Sequence, residues 1–364
     1  MKREISVDIL QVCTHAFGVA EGGIAEYVNN VSKILAQRHR VTAYGTNPKG
    51  SFPRMQYIDG VRVERFKHFA PGGAYFFSWE LLLKLRKSQF DVVHGHGYHS
   101  FPLHFCTLAK RGKFIASTHF HGYGHTAFRD SLLRILRPLG KRTLLKADKI
   151  VAVSEYERSL LEKTLKLNPN KIVVIPNGLN LSEFTNLRRY DRGFRSILYV
   201  GTLKSYKGPQ YILEILPMLD DDITLEIVGK GPLKERLVKR AKSLKIDNRV
   251  RFYEDMPRNA LLQKYADADL FVLLSKYEAY SIVVAEALTA GKPCVLTRTS
   301  ALTEWIDDEN CFGVDFPVNL TNLKNVVKRV LDNAPPSKSI TKWIGTKILD
   351  WKDVADRLEE VYEE

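Results

Sequence analysis

The chain has 364 residues, an ordinary apolar share of 45% and a formal net charge of +14. That length supports two domains with full cores, and no apolar run reaches membrane-spanning length. Cys13, Cys106, Cys294 and Cys311 have no paired spacing, which argues against disulfides and a cysteine zinc site and predicts reduced thiols in a cytoplasmic protein.

The start, MKREISVDILQVC, has a charged tip and Asp8 inside a short apolar stretch, so it reads as a first strand and not as a signal peptide. Strands are then expected at 5–13, 40–45, 61–66, 91–96, 113–118, 148–153 and 171–175, with helices at 24–37, 78–88, 128–145 and 155–166. The polar stretch TNLRRYDRGFRS at 185–196 has little periodicity and reads as a linker. The pattern restarts with strands at 197–201, 223–228, 250–253, 269–274 and 293–298, alternating with helices at 209–217, 232–244, 258–266 and 281–290. PPSKS at 335–339 reads as the end of this second repeat. A final amphipathic helix at 351–363 puts Trp351, Val354, Leu358, Val361 and Tyr362 on one face. Strand–helix alternation twice over predicts an α/β chain of two doubly wound parallel sheets. The domains are expected at 1–185 and 193–345, with 351–364 packing back on the first. Ligands of such sheets sit at the carboxyl ends of the strands, so a cleft between the domains is the expected site.

The charge is uneven. Residues 1–185 hold 27 Lys+Arg and 14 Asp+Glu, a net of +13, and the remainder 28 and 27, a net of +1. The first half is therefore expected to face an anionic partner. Within it, FRDSLLRILRPLGKRTLLKADK at 128–149 carries Arg129, Arg134, Arg137, Lys141, Arg142, Lys146 and Lys149 beside seven leucines and isoleucines. Pro138 is expected to kink or divide this helix. A basic amphipathic helix can lie on an anionic bilayer, as in a peripheral enzyme at the inner membrane face. The plainer reading is a core-facing helix with a solvated basic side. The basic residues are otherwise dispersed and no nucleic-acid module is visible, so no nucleic-acid partner is expected.

The loops after strands carry the motifs. In AEGGIAEYV, Gly22 and Gly23 would let backbone approach a diphosphate or an acceptor, or serve only to pack a helix start. The spacing is not that of a dinucleotide fingerprint, and AYGTN after the next strand has no acid for a ribose. In VGTLKSYKGPQYI, Lys207 precedes a helix started by Pro209, where it can neutralise a leaving phosphate or simply be solvated. Gly229, Lys230 and Gly231 in EIVGKGPLKERL make a turn with room for a ligand. His94, His96, His99, His119, His121 and His125 are six of the ten histidines. They suggest zinc, but no carboxylate or cysteine joins at ligand spacing, so no metal is expected and a neutral histidine lining a sugar pocket is preferred. Last comes SKYEAYSIVVAEALTAGKP. Glu278 falls in a loop after a strand and Glu286 inside the next helix, whose first amides at Tyr280, Ser281 and Ile282 favour an anion. Two carboxylates flanking such an anion describe a site for a phosphorylated sugar. The plainer alternative is a pair of surface glutamates.

Together these stretches resemble the retaining family 4 glycosyltransferases of GT-B fold, two doubly wound domains facing across a cleft. The likeness rests on GG at 22–23, THFH at 118–121, VSEYE at 153–157, PNGLN at 176–180, VGTLKSYKG at 200–208, GKG at 229–231 and EAYSIVVAE at 278–286, in the family's order over nearly the whole chain. The resemblance implies transfer of a sugar, with retained anomeric configuration and without a metal or other cofactor, from a UDP- or GDP-linked donor to a hydroxyl. It implies that Glu278 contacts donor-sugar hydroxyls and Glu286 the ribose diol. The amides at 280–282 would hold the diphosphate and Lys207 would supply charge to it. Met256 would read the base through its backbone, and His119 would project towards the donor sugar. Thr202 stands where the family usually has an arginine, which leaves Lys204 as its replacement, without a bidentate fork. Ser281, where glycine or proline is common, keeps its amide. A sugar-nucleotide epimerase of related fold, a non-catalytic binding protein and an inactive family member are the competing readings.

Overall fold

The structure is a computed structural model and describes residues 6–15, 17, 22–47, 52–70, 75–109, 112–124, 127–190 and 192–364. The chain divides into two compact units, Met1–Gly178 with Leu349–Glu364, and Leu179–Ile348. In chain order the first contains β1 (Asp8–Val12), α1 (Gly23–Leu35), β2 (Arg40–Thr46), β3 (Met55–Ile58), β4 (Val61–Phe66), α2 (Trp79–Lys87), β5 (Val92–His96), α3 (Phe101–Phe105), β6 (Lys113–Ser117), α4 (Ala127–Lys146), β7 (Lys149–Ala152), α5 (Glu155–Leu165) and β8 (Ile172–Val174). The chain leaves at β9 (Gly178–Leu179). The second unit contains β10 (Arg195–Val200), α6 (Pro209–Ile215), β11 (Ile223–Val228), α7 (Lys234–Ser243), β12 (Val250–Tyr253), α8 (Arg258–Asp267), β13 (Leu270–Leu273), α9 (Ile282–Thr289), β14 (Cys294–Thr297), β15 (Cys311–Val314), α10 (Leu320–Asp332) and α11 (Ser337–Ile344). The return to the first unit is through β16 (Leu349–Asp350) and α12 (Trp351–Glu363).

The first sheet has the order β3-β4-β2-β1-β5-β6-β7-β8 and the second β12-β11-β10-β13-β14-β15. Every pairing in them is parallel except β3 with β4. Strands such as Leu270–Leu273, buried at every position, suit a parallel sheet covered on both faces. In each sheet the strand order reverses next to the first strand, between β1 and β5 and between β10 and β13. Loops diverge there and leave a crevice at the carboxyl ends.

Sheet one carries a core on each face. One packs Leu81, Leu85, Leu103, Phe105, Leu133, Leu144, Leu161 and Leu165 of α2 to α5 against the strands. The other packs Tyr27, Val28, Val31 and Leu35 of α1 with Trp351, Val354, Ala355, Leu358 and Val361 of α12. Arg38 pairs with Asp356 at 2.7 Å and also with Glu359, which fastens α12 to α1. The hydroxyl of Tyr362 reaches the buried His94 Nδ1 at 2.7 Å.

Several elements depart from the sequence expectation. β3 has three exposed residues of four and no alternation to mark it. PPSKS does not end the second unit. Its prolines follow α10, and Pro336, at φ −58 and ψ 133, is the N-cap residue just before α11, so the pair separates two helices of the same unit. Pro138 lies inside α4, which runs unbroken from Ala127 to Lys146. The unit boundary comes before the 185 expected, because the intervening chain is tied to the second unit. Arg192 pairs with buried Glu226 at 3.0 Å, Tyr190 N donates to Asp267 at 3.0 Å, and Glu183 pairs with Arg258 at 2.8 Å.

Trp351 anchors the return of the chain. It is 4% exposed, its ring stands edge-on to Tyr27 at 5.8 Å, and Gly178 lies so close that a Cβ there would be 2.9 Å from the Trp351 backbone. Trp351→Ala is expected to destabilise the first unit by about 3–5 kcal/mol, read as a lower guanidinium midpoint. An unchanged midpoint would show that α12 is not part of the folding core.

Candidate functional site

The reversal point of the second sheet lies between the loops that follow β10 and β13. The first loop runs through Gly201, Thr202 and Lys204 into a 3-10 turn at Ser205–Lys207, and α6 begins after Gly208. Gly208 has φ 76, and a Cβ on it would lie 2.2 Å from the Leu274 carbonyl oxygen of the second loop. Only glycine fits there. The Lys276 amide donates to the Tyr206 carbonyl at 2.7 Å, a further tie between the loops.

Across this junction Lys207 Nζ meets Glu278 Oε1 at 2.7 Å, with the side chains 21% and 11% exposed. Burial pulls the lysine pKa down, but the Glu278 charge and Tyr206 outweigh it and hold the ammonium above its ordinary value. Lys207 therefore stays charged. The Glu278 amide donates to Ser300 Oγ at 2.8 Å, and the hydroxyls of Thr297 and Thr299 hold the Ser275 carbonyl at 2.5 and 2.9 Å. Trp305 Nε1 donates to the Tyr280 carbonyl at 2.8 Å. The second loop is thus braced along its length.

That loop delivers the start of α9. Ser281 sits at φ 83, ψ 81, and α9 has no side-chain cap. The Val284 and Ala285 amides donate to the Ser281 carbonyl at 3.2 and 3.3 Å, so the donors that a helix start leaves for an anion are those of Ile282 and Val283. Ser281 Oγ is buried with no hydrogen-bond partner among the described residues. The strain of a left-handed serine is of the kind found where a loop serves a ligand.

Glu286, one turn on, is 3% exposed. Its carboxylate accepts from Arg258 Nη1 on one oxygen and from Tyr265 Oη at 2.8 Å on the other. Arg258 also donates to Glu183 at 2.8 Å. Burial lowers the Arg258 pKa, but Glu286 and then Glu183 more than restore it and hold it above the ordinary value. The sequence reading missed Arg258 and Tyr265. One signal was available: an arginine in the first turn of a helix opposes the dipole, and such a residue asks for a carboxylate partner.

The other residues expected at a donor site in this unit follow β10, β11 and β12. Met256 is half-buried ahead of α8. Lys230 pairs with Asp255 at the surface. Gly229 and Gly231 have packing reasons of their own, since a Cβ would lie 2.0 Å from the Gly201 oxygen and 2.4 Å from the Leu203 oxygen. Lys204 precedes the 3-10 turn and accepts the Lys207 amide at 3.0 Å.

In the first unit, Gly22 caps α1 at φ 136 and Gly23 opens that helix. Nothing lies within 4 Å of where a Gly22 Cβ would point. His119 follows β6 at φ 46, 8% exposed, with burial holding its pKa at about 4. His94 and His96 are core residues. His94 hydrogen-bonds Tyr362 and Ser117 at 2.7 and 2.8 Å, and His96 meets Gln11 at 2.6 Å. His99 and His121 stack at 4.7 Å. His125 lies outside the described residues. Among the described residues no group of three His, Cys, Asp or Glu could hold a metal ion.

Two family profiles match the chain: Glycosyltransferase Family 4 over residues 21–183 and Glycosyl transferases group 1 over residues 189–344. The chain belongs to the family 4 glycosyltransferases. This family 4 chain is 25% identical to the glycogen synthase of Mycobacterium tuberculosis, over 97% of this chain and 94% of the other. Sucrose-phosphate synthase from Thermosynechococcus elongatus superposes with a TM-score of 0.82 at 18% identity, covering 98% of each chain. Anabaena HepE in complex with UDP-glucose superposes with a TM-score of 0.77 at 17% identity, covering 98% of this chain and 99% of the other. The fold is GT-B.

Arg258 and Glu286 are expected to be energetically coupled. A double-mutant cycle of Arg258→Ala with Glu286→Gln should give a stability coupling of about 0.5–3 kcal/mol, since either single change strips a partner from a buried pair. Additive losses would show that the pair is incidental.

Proposed function

We propose that this glycosyltransferase is a retaining, metal-independent enzyme that moves a sugar from a UDP- or GDP-linked donor to a hydroxyl acceptor. The observation that carries the reading is the Lys207–Glu278 pair at the reversal point of the second sheet, beside the uncapped start of α9. In this reading the diphosphate lies on the amides at 280–282. Lys207 and the helix start take up the charge that develops as the bond from the anomeric carbon to phosphate breaks. The acceptor oxygen bonds the anomeric carbon from the same face, and its proton passes to the departing phosphate oxygen. Glu278 accepts from donor-sugar hydroxyls. Glu286, oriented by Arg258 and Tyr265, accepts from the ribose diol. Met256 offers its backbone to the base, and Gly22 and Gly23 permit a close approach at the start of α1. The neutral His119 faces the donor sugar, and Lys204 stands in for the cation missing at Thr202. Binding of UDP-glucose by HepE supports a uridine donor.

A thermal-shift screen against UDP, GDP, ADP and their sugars identifies the base, because a ligand of the folded state raises the melting temperature. Lys207→Ala is then expected to slow transfer by about 3 kcal/mol, roughly a hundredfold. A loss below about tenfold would make Lys207 a bystander, and a large drop on adding EDTA would overturn metal independence. Turnover of donor without any acceptor would favour an epimerase.

A specific observation also favours an acceptor at a membrane. On α4, Ile135 is 72% and Leu145 50% exposed, on the same outer side as exposed Arg134, Leu139, Arg142 and Lys146, while Leu133 and Leu144 are buried. Basic side chains around exposed apolar ones suit peripheral binding to an anionic bilayer. No helix among the described residues is long and apolar enough to cross one. Co-sedimentation with anionic vesicles is expected at low salt, weaker at high salt, and lost in Ile135→Asp/Leu145→Asp. No sedimentation at low salt would leave a soluble acceptor.

A further inference from the structure

We infer that Glu157, at the start of α5, is the positioning residue for His119. The inference rests on the role proposed for His119 above. Glu157 is 0% exposed. One of its carboxylate oxygens accepts from Thr118 Oγ1 and from the Phe120 amide at 2.5 Å, the residues on either side of His119. The other accepts from the Val153 amide at 2.7 Å, at the end of the adjoining strand β7. His119 itself sits at φ 46, a conformation a non-glycine residue holds only when its surroundings enforce it. The carboxylate grips the chain immediately before and after that strained residue.

Helix capping does not explain the residue. Ser154 Oγ already caps α5 by accepting the Glu157 amide at 3.1 Å. Nor does packing, since a buried carboxylate is costly unless its acceptors are filled. A carboxylate is the side chain that presents acceptors on both oxygens, and donors here lie on both sides. The imidazole it steadies is flanked by Tyr27, edge-on at 5.4 Å, and by His96, stacked at 6.1 Å. Its Nε2 is buried with no hydrogen-bond partner among the described residues. A neutral ring with one nitrogen left over, on a clamped loop, is suited to meet a sugar hydroxyl.

Burial raises the Glu157 carboxyl to about 7 against the pull of its three donors. Once protonated, one oxygen would face a donor with a proton of its own, and the clamp would slacken. Tyr27 of α1 feels the Glu157 charge, and His119 lies between two of its donors. Burial holds Tyr27 far above its ordinary value and His119 at about 4, so neither changes charge near neutrality.

The test uses the full chain with Glu157→Gln, whose amide can satisfy only one side of the clamp. The 15N signals of the His119 imidazole are expected to shift while those of His94 stay, which also shows that the core is intact. Unmoved His119 signals overturn the inference, whatever the activity. With the donor found by the screen, turnover should fall on the order of tenfold with little change in donor KM. The double variant with His119→Ala should be no slower than His119→Ala alone. Additive losses would mean a general structural role and overturn the inference. Wild-type turnover should climb as pH rises through about 7, and Glu157→Gln should lack that step; its persistence would count against Glu157. A wild-type protein that transfers from no donor would instead defeat the transferase reading, and the imidazole signals would still decide this one.

Discussion

The contact on which the second unit depends is the approach of the β10 loop to the β13 loop. The Leu274 carbonyl occupies the place where a side chain on Gly208 would begin. That closeness brings Lys207 over Glu278, and it follows from the strand order, since β10 and β13 are neighbours whose connections run to opposite sides. The glycines of the neighbouring turn serve the same end. Gly229 and Gly231 let the β11 loop lie against the backbone of Gly201 and Leu203. A lysine–glutamate pair here is a poor source of stability once desolvation is counted. In the function proposed above, its value would lie in holding a charged ammonium in place before a substrate arrives, so that little reorganisation remains when charge develops.

Glutamates placed among small apolar residues raise the question of what compensates them. The structure gives three answers. Glu278 is met by a cation on a neighbouring loop, Glu286 by Arg258 and a tyrosine, and Glu157 by backbone and hydroxyl donors. For Glu157, which has no cation partner among the described residues, burial raises the pKa to about 7. Lys207 and Arg258, the cations that meet Glu278 and Glu286, are both held above their ordinary values. The three sites therefore differ in electrostatic character although their residue type is the same.

The repeated strand–helix alternation, both parallel sheets and the loops that bear the motifs were legible in the sequence, because hydrophobic periodicity and glycine placement are local signals. β3 was not, since it pairs only at an edge and is mostly exposed. α3, with five residues, is too short to show a period. α10 was legible in principle: Asn319 caps it, accepting from the Asn322 amide at 2.9 Å, and Leu323, Val327 and Val330 form its buried stripe. The proline pair behind it drew attention to an ending and away from the helix itself. Side-chain partners far apart in sequence left little local trace: Arg258 in the first turn of α8 asks for a carboxylate but does not say which. Nothing near Glu286 announces Arg258, and Ser154-x-x-Glu157 looks like a simple capping box until the carboxylate is seen turned towards Thr118 and Phe120.

Left-handed backbone recurs in the two units. His119 at φ 46 and Ser281 at φ 83 both follow parallel strands, and in each case the chain around the residue is braced from outside. For His119 the brace is Glu157. For Ser281 it is Trp305 on the preceding carbonyl and Ser300 on the loop behind. A glycine would relieve the strain at Ser281 but would also widen the unfolded ensemble and loosen the chain at the start of α9. At His119 a glycine would relieve the backbone in the same way but would remove the imidazole that packs against Tyr27 and His96. Such backbone persists only where the surroundings over-determine it, and at both places they do: a buried carboxylate grips the chain on each side of His119, an indole and a hydroxyl hold the loop ahead of Ser281, and a parallel sheet stands behind each.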